Sequence, residues 1–409
     1  MRLLGALLII LSALQSTPFF VSNIIIYALI YLLVFLYAFH IKKKKNTESI
    51  WKLDKYLIFY LVWLLFGLVS FFWSVDKFFW FRSCVILIIV TSSIFIFQQF
   101  IRNEEDIVFY LRVFFCTFLA NNVIGWFEVF TSKYIITTTE NVKEYSINHW
   151  PVASFLNTND FCTYLAVSIP FVLAYFIYQK DVRVKSVIVL SIFSSLLLML
   201  KASSRANILA VILGLILLWI LDYLIDKLKN YRFLGAFFVV VVLSLVIVFS
   251  TSLGERILDV FVNNDRSSDQ LRLNLIRNGL IHLKNSHFIG VGAGNLQYWL
   301  PNHQYYNTFN FLYIHNWWVE VLVNYGVIIF VGYFLSWINL FFTAMFKPSF
   351  NPTVSKVLGA GIVIFSLAVF SPSSMLLMKW LPIYTGISIS CISLLEKKEG
   401  RKNSEKTNK

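Results

Sequence analysis

An all-α protein threaded repeatedly through a membrane is the fold class this sequence predicts, and three observations predict it. Apolar stretches of spanning length recur from one end of the chain to the other. Of 409 residues, 58% are hydrophobic and only 14% charged, which is not a soluble composition. The remaining charges fall in short clusters between the apolar runs, where a membrane protein sets its orientation. The net charge of +14 is therefore not gathered into a basic face. That argues against nucleic acid and leaves the lipid bilayer as the implied partner.

Spanning segments are placed at 3–17, 21–40, 56–74, 80–98, 107–130, 161–178, 184–200, 206–225, 233–251, 316–345, 354–372 and 376–395. That makes about twelve transmembrane helices. The opening MRLLGALLIILSALQS has the look of a signal peptide, with Arg2 ahead of an apolar run. It has no clear small-x-small cleavage site and another span follows at once, so it is read as a retained first helix. No soluble domain is attached and no internal repeat stands out. The expected organisation is one membrane domain: N-terminal helices over 1–251, a large extracytoplasmic loop over 252–315, C-terminal helices over 316–395 and a basic tail over 396–409.

Lys and Arg set the orientation. With the N-terminus in the cytoplasm, HIKKKKNTESIWKLDK, QKDVRVK, DKLKNYR, KPSFNPTVSK and the tail EKKEGRKNSEKTNK all face inward. Roughly 22 of the basic residues then lie inside and about 12 outside, with Arg112 within a span. Both termini are expected in the cytoplasm of a multi-pass inner-membrane protein. Cys84, Cys116, Cys162 and Cys391 sit within or beside apolar runs without paired spacing, so buried free thiols are expected rather than disulfides or a zinc site.

The outward basic residues run against the orientation rule and need a reason. Arg205 lies in KASSRANILA at the outer mouth of the 206–225 span, and Arg272 and Arg277 lie in SSDQLRLNLIRNGLIHLK. Leu271, Leu275, Ile276 and Leu280 give the latter stretch one apolar stripe, which predicts an amphipathic helix lying on the membrane surface within the large loop. For Arg82, Arg277 and Lys379 the plainer account is snorkelling or a lipid headgroup. The following HFIGVGAGNLQYW holds a Gly-x-Gly-x-Gly run over Gly290, Gly292 and Gly294. Without a preceding strand it is no nucleotide fingerprint. Its glycines suit a tight turn, either purely structural or with N–H groups free for an anion or another helix. In YIHNWWVEVLVNYG, a helix starting near Asn316 puts Asn316, Glu320 and Asn324 on one face at i, i+4 and i+8, with Trp317, Val321 and Ile328 toward lipid or other helices. His315 then stands at the helix start on the outer boundary. Polar groups at membrane depth cost free energy and mark a cavity, a pairing or a reaction. A helix N-terminus disfavours imidazolium, so a neutral, proton-accepting ring is expected.

Four motifs in this order resemble the O-antigen ligase and O-antigen polymerase superfamily of bacterial membrane glycosyltransferases. They are FLNTND at 155–160, SSRAN at 203–207, DQLRLNLIRNGLIHLKNSHFIGVGAGN at 269–295 and HNWWVEVLVNYGVIIF at 315–330. One departure is Leu275 or Ile276 where relatives often carry Trp. The resemblance implies transfer or polymerisation of a polyprenyl-diphosphate-linked glycan onto a glycan or glycolipid acceptor, at the outer face of the cytoplasmic membrane. It also implies metal independence and no cofactor. Carried over residue by residue, Arg205 and Arg272, with Arg277 as a further candidate, would bind the diphosphate, and His315 would handle the acceptor or leaving-group proton. Asn157, Asn159, Asn316, Gly292 and Gly294 are candidate substrate contacts.

The chemistry suits these residue types. A lipid diphosphate gains negative charge as it leaves, and arginine forks match phosphate oxygens while staying charged. At an effective dielectric near 20, a charge pair about 4 Å apart interacts by roughly 4 kcal/mol before desolvation. Loss of one contact would slow transfer by on the order of a hundredfold. The outer carboxylates Glu255, Asp259, Asp265 and Asp269 form no recognisable metal-ligand motif. His315 is left as the base, Glu320 as its orienting partner if the fold brings it near, and direct displacement at the anomeric carbon would invert configuration. The abundance of Phe, Ile, Lys and Asn suits an AT-rich genome of the Gram-positive kind, which favours capsule, teichoic or teichuronic polymer over true O-antigen. The rival readings are a flippase or exporter of lipid-linked oligosaccharide, which calls for internal repeats and midplane charge, and a non-catalytic envelope scaffold.

Overall fold

A computed structural model describes residues 1–15, 24–44, 54–135, 142–226, 266–372 and 374–407. The ninth expected span, 233–251, and the first part of the large loop lie outside these residues. The described chain is helical and has no strands. Its helices are α1 (Arg2–Ala13), α2 (Ile24–Lys44), α3 (Lys55–Val69), α4 (Lys77–Phe100), α5 (Glu104–Thr131), α6 (Val142–Asn148), α7 (Thr158–Tyr178), α8 (Val182–Lys201), α9 (Arg205–Asp226), α10 (Arg266–Asn285), α11 (Leu296–Asn302), α12 (Trp317–Phe346), α13 (Pro352–Ala368) and α14 (Trp380–Thr407).

Six helical stretches among the described residues are long and apolar enough to cross a membrane: Lys55–Phe72, Lys77–Phe100, Glu104–Thr131, Thr158–Tyr178, Val182–Lys201 and Trp317–Phe346. Five shorter apolar helices, Arg2–Ala13, Ile26–His40, Arg205–Leu221, Pro352–Ala368 and Trp380–Glu396, occupy other expected spans. Each expected span within the described residues therefore has its helix, while spanning length is met by six. The starts are written in local chemistry. Asp54, Asp76, Asn103, Asn157, Asp181, Asn316 and Asn351 each cap a helix by accepting a backbone N–H that has no intrahelical partner.

The helix α7 is enclosed on nearly every side, packed by α5, α8, α9 and α13. A second group places α14, α2 and α3 along α4, with α12 joining the two groups through α13, α3 and α14. Aromatic rings fill this junction. Trp63, Trp317, Tyr325, Tyr333 and Trp337 are all buried, and the Trp317 indole donates to the Tyr333 hydroxyl at 2.9 Å. Arg112, read as lying within a span, donates to the Tyr175 hydroxyl at 3.1 Å across α5 and α7. That contact gives its charged group a polar partner within the bundle.

The ion pairs of Arg2 and Lys347 lie at one end of the bundle. Arg2 meets Asp106 at 2.6 Å and Glu105 at 3.2 Å, and Lys347 meets Glu396 at 2.5 Å. Segments expected on one side of the membrane are thus neighbours in space. The opposite end carries residues 70–76, 149–157, 202–205, 286–316 and 369–379, where the candidate site lies.

Two expectations change. Cys84, Cys162 and Cys391 are buried, but Cys116 is exposed on α5, because its helix turns that position away from the bundle. The stripe of α10 also differs: Leu275 is buried and Leu280 is exposed. Leu271, Leu275, Ile276 and Leu283 pack with Val291, Leu296, Leu300, Ile314, Val319 and Val323. The apolar face of the amphipathic helix is therefore covered by α12 and its own loop, so the stripe is satisfied by protein.

Candidate functional site

Two features build the site: the break in α12 and the loop between α13 and α14. Inside α12, Gly326 has φ 76° and ψ 175°, so the helix ladder is interrupted there. Freed backbone groups at membrane depth need partners, and the glycine run supplies them. Val291 N–H donates to the Val323 carbonyl at 2.9 Å, Gly292 N–H to the Asn324 carbonyl at 3.1 Å, and Val327 N–H to the Phe288 carbonyl at 3.0 Å. Asn324 fastens both sides, its amide donating to the Glu320 carbonyl at 3.0 Å and its Oδ1 accepting Leu296 N–H at 2.9 Å. Gly290 at φ 95° lies directly against the Gly326 backbone, where a Cβ on either would overlap main-chain atoms.

Gly292 and Gly294 are therefore buried packing residues, seated against Ser74 and Ser83. The N–H of Gly292 is taken by Asn324 and that of Ala293 by Ser70 Oγ at 3.0 Å. Of the uses weighed for this turn, the structure gives it the helix contact. Those two N–H groups are not free for an anion.

At the start of α12, Asn316, Glu320 and Asn324 do share a buried face. Trp317 and Val321 are buried against other helices, while Ile328 is 84% exposed. Asn316 caps the helix, its Oδ1 accepting Val319 N–H at 3.2 Å. The Glu320 carboxylate does not pair with His315. It accepts from Ser374 Oγ at 2.5 Å and from Met375 N–H at 3.2 Å, clamping the α13–α14 loop onto α12. Trp317 N–H donating to the Val369 carbonyl at 3.1 Å holds the other end of that loop.

His315 sits between this loop and α10. Its backbone is left-handed at φ 53°, a conformation that costs a non-glycine residue energy and is kept only where the surroundings enforce it. The ring is partly buried, bonds the backbone of Ser371, and has no partner at Nδ1. Burial pushes its pKa down to about 4, the nearby Arg272 guanidinium pushes in the same direction, and the Ser371 bond opposes both. The ring is neutral at physiological pH.

A polar chain runs on from Ser371. Its hydroxyl donates to Asn159 Oδ1 at 3.3 Å, and Ser204 Oγ donates to the same oxygen at 3.4 Å. Asn207 donates to Ser204 Oγ at 2.9 Å. Ser204 immediately precedes Arg205, the first residue of α9. Asn157 caps α7 by accepting Asn159 N–H at 2.7 Å. The fold thus joins Asn159, the Ser204–Arg205 corner, Ser371, His315 and Arg272, which come from five segments of the chain. Arg277 is exposed and separate: its guanidinium lies over the Tyr306 ring, 5.4 Å from the centroid. Five residues along a helix turn the side chain by about 140° from Arg272. Lys379 donates to the Gln15 carbonyl at 2.6 Å, tying α14 to the end of α1, and burial lowers its pKa to about 8.

Sequence reasoning passed over Ser371, Ser374 and Glu128. SPSS is a polar cluster in a very short connection between spans, and that was the available signal. Glu128, fully buried in α5, accepts from Val152 and Ala153 N–H at 2.8 and 2.7 Å and so fixes the approach to FLNTND. Among the described residues no three His, Cys, Asp or Glu side chains converge as a metal site would require.

Residues 190–334 match the family model described as O-antigen ligase. That match bears out the family resemblance. It takes in Arg205, Arg272, Arg277, Gly292, Gly294, His315, Asn316 and Glu320, while Asn157 and Asn159 lie N-terminal to it. The chain is also 25% identical over 358 residues to the teichuronic acid biosynthesis protein TuaE of Bacillus subtilis (strain 168), covering 83% of this chain and 72% of that protein. Together with the apolar helices, the O-antigen ligase match makes this a multi-pass membrane protein.

Proposed function

We propose that this chain is a membrane glycosyltransferase of the O-antigen ligase and polymerase type. It acts in cell-envelope polysaccharide biosynthesis on a polyprenyl-diphosphate-linked glycan at the outer face of the cytoplasmic membrane. The observation that carries the reading is a neutral imidazole with an unpartnered Nδ1, beside Arg272, on a polar chain that reaches Ser204, the residue immediately before Arg205.

In this reading Nε2 keeps its proton and donates a hydrogen bond to the Ser371 carbonyl, so Nδ1 keeps a lone pair for the acceptor hydroxyl. The acceptor oxygen bonds to the anomeric carbon as the bond to the diphosphate breaks, with inversion and without a metal. Arg272 and Arg205 neutralise the departing diphosphate. Glu320 acts through the loop, holding Ser371 where it can orient the ring. Asn159 links the Ser204 and Ser371 hydroxyls, and Asn316 sets the helix start beside the base. Arg277, stacked on Tyr306, takes a supporting part at most. The likeness to a teichuronic acid biosynthesis protein supports an envelope polymer as product.

The test is complementation of a deletion strain, followed by reconstitution with lipid-linked donor. Arg205→Ala, Arg272→Ala and His315→Ala are expected to insert normally and to lose envelope glycan, with wild-type protein making new glycosidic bonds in vitro. Wild-type glycan from all three variants refutes the site. Donor carried across the bilayer with its bonds unchanged would assign the chain to transport instead.

A further inference from the structure

Ten residues along α10 from Arg272, about 15 Å at helical rise, a cavity of about 500 Å³ opens between α10, α11 and the loop that follows. Trp73, His282, Asn285, Trp299, His303 and Tyr305 line it. No Asp, Glu, Lys or Arg is among its lining residues, unlike the Arg272 site, and burial lowers the His282 pKa.

The pocket is built, not incidental. Buried Asn278 accepts Tyr305 and Tyr306 N–H at 2.8 and 3.0 Å through Oδ1 and donates to the Tyr306 carbonyl at 2.7 Å, fixing the loop that carries Tyr305. The His282 ring lies 5.2 Å from Trp299 and 5.6 Å from Tyr305, and His303 lies 4.7 Å from Trp299, so the rings form a continuous aromatic wall. Tyr305 is 57% exposed, leaving ring surface open. Polar groups stand along the same wall: Asn285 donates to the Tyr305 hydroxyl at 2.9 Å, and His282 Nε2 bonds the His303 carbonyl at 3.0 Å. The buried Trp299 Nε1 has no hydrogen-bond partner.

We propose that this cavity is a saccharide subsite, holding sugar units of the glycan away from the diphosphate. Sugar rings present C–H faces that pack on aromatic rings and hydroxyls that need donors and acceptors at the edge, and the cavity supplies both. Its size falls within the usual range for ligand pockets, about 300–1,000 Å³. Its distance from Arg272 suits a chain of a few sugars whose reacting end lies at His315. The proposal rests on the transferase reading for its substrate class.

The experiment is calorimetric titration of the purified full-length protein with oligosaccharides released by partial acid hydrolysis of the cell's own envelope polymer. These fragments carry no lipid and no diphosphate. Wild type and His315→Ala are expected to bind them equally, and Tyr305→Ala and Asn285→Ala on the order of tenfold more weakly. Tyr305→Phe, which keeps the ring, is expected to bind more tightly than Tyr305→Ala. Unchanged affinity in both weakened variants, or no binding by wild type, overturns the subsite. Reconstitution separates the two readings: fragment binding without new glycosidic bonds keeps the subsite and sinks the transferase, and bond formation without fragment binding does the reverse. Competition with intact donor distinguishes the source. Mutual displacement assigns the pocket to the donor's sugars, and independent binding assigns it to the acceptor, either of which supports a saccharide subsite.

Discussion

Lowering the pH reports on His315 directly. The ring ordinarily titrates near 6.5 and its pKa in the fold is about 4, chiefly because it is buried and secondarily because Arg272 is near. Above pH 6.5 it is neutral in both folded and unfolded chains and adds nothing to the pH slope. Between 6.5 and about 4 the unfolded chain takes the proton while the folded chain refuses it, so stability falls with pH. Below that both forms are protonated and the loss is complete. At about 1.4 kcal/mol per pH unit, the loss totals roughly 3 kcal/mol. The assay is thermal melting of the detergent-solubilised protein across that interval, comparing wild type with His315→Gln, which keeps a polar group but does not titrate. Other titrating groups are common to both proteins, so the difference between the curves isolates the ring. Wild type should lose more stability than the variant, by roughly 3 kcal/mol at the acid end. Arg272→Gln should narrow the gap without closing it, because desolvation is the larger cause. Curves that stay parallel for wild type and His315→Gln would refute the burial of the ring, and with it a neutral base held beside a guanidinium.

Gly326→Ala should undock the loop that carries the glycine run. Backbone strain of about 1–3 kcal/mol adds to the weakening of up to three inter-segment hydrogen bonds at roughly 1 kcal/mol each, and limited proteolysis between Pro301 and Tyr313 in membranes would detect it. Unchanged resistance would mean that the glycine run does not depend on the helix break. Glu320→Ala leaves Ser374 Oγ and Met375 N–H without their acceptor, each costing about 1–3 kcal/mol, and should lower glycan yield through loss of loop position. Glu320→Gln, which retains one acceptor oxygen, should recover part of that yield, and equal yields from the two variants would deny the clamp. Arg277→Ala should reduce glycan output far less than Arg272→Ala, since its guanidinium rests on Tyr306; a null phenotype would move the diphosphate role toward it.

The spans were legible because apolar runs of about 20 residues have few other uses, and the caps because Asp and Asn stand just ahead of those runs. The face shared by Asn316, Glu320 and Asn324 followed from helical spacing alone. Which partner each would meet did not. Glu320 faces Ser374, some fifty residues away in sequence, and no periodicity encodes that pairing. Leu280 was assigned to the apolar stripe by period, yet α12 covers the Leu275 and Leu283 side, because tertiary packing chose the face. The glycine run was readable as a turn but not as the partner of a helix break, since Gly326 reads locally as a tolerated interior glycine. The grouping of Asn159, Ser204, Ser371 and His315 depends on four distant segments converging, which a single sequence does not display.

The break at Gly326 also bears on biogenesis. During synthesis the glycine run emerges before Tyr325 and Gly326, so the partner already exists when the residues that need it are inserted. The later segment then enters with its main-chain gap matched by a waiting partner, and final seating of α12 and closure of the loop become one event. A nascent protein cut anywhere between Phe288 and Val327 would lose both at once.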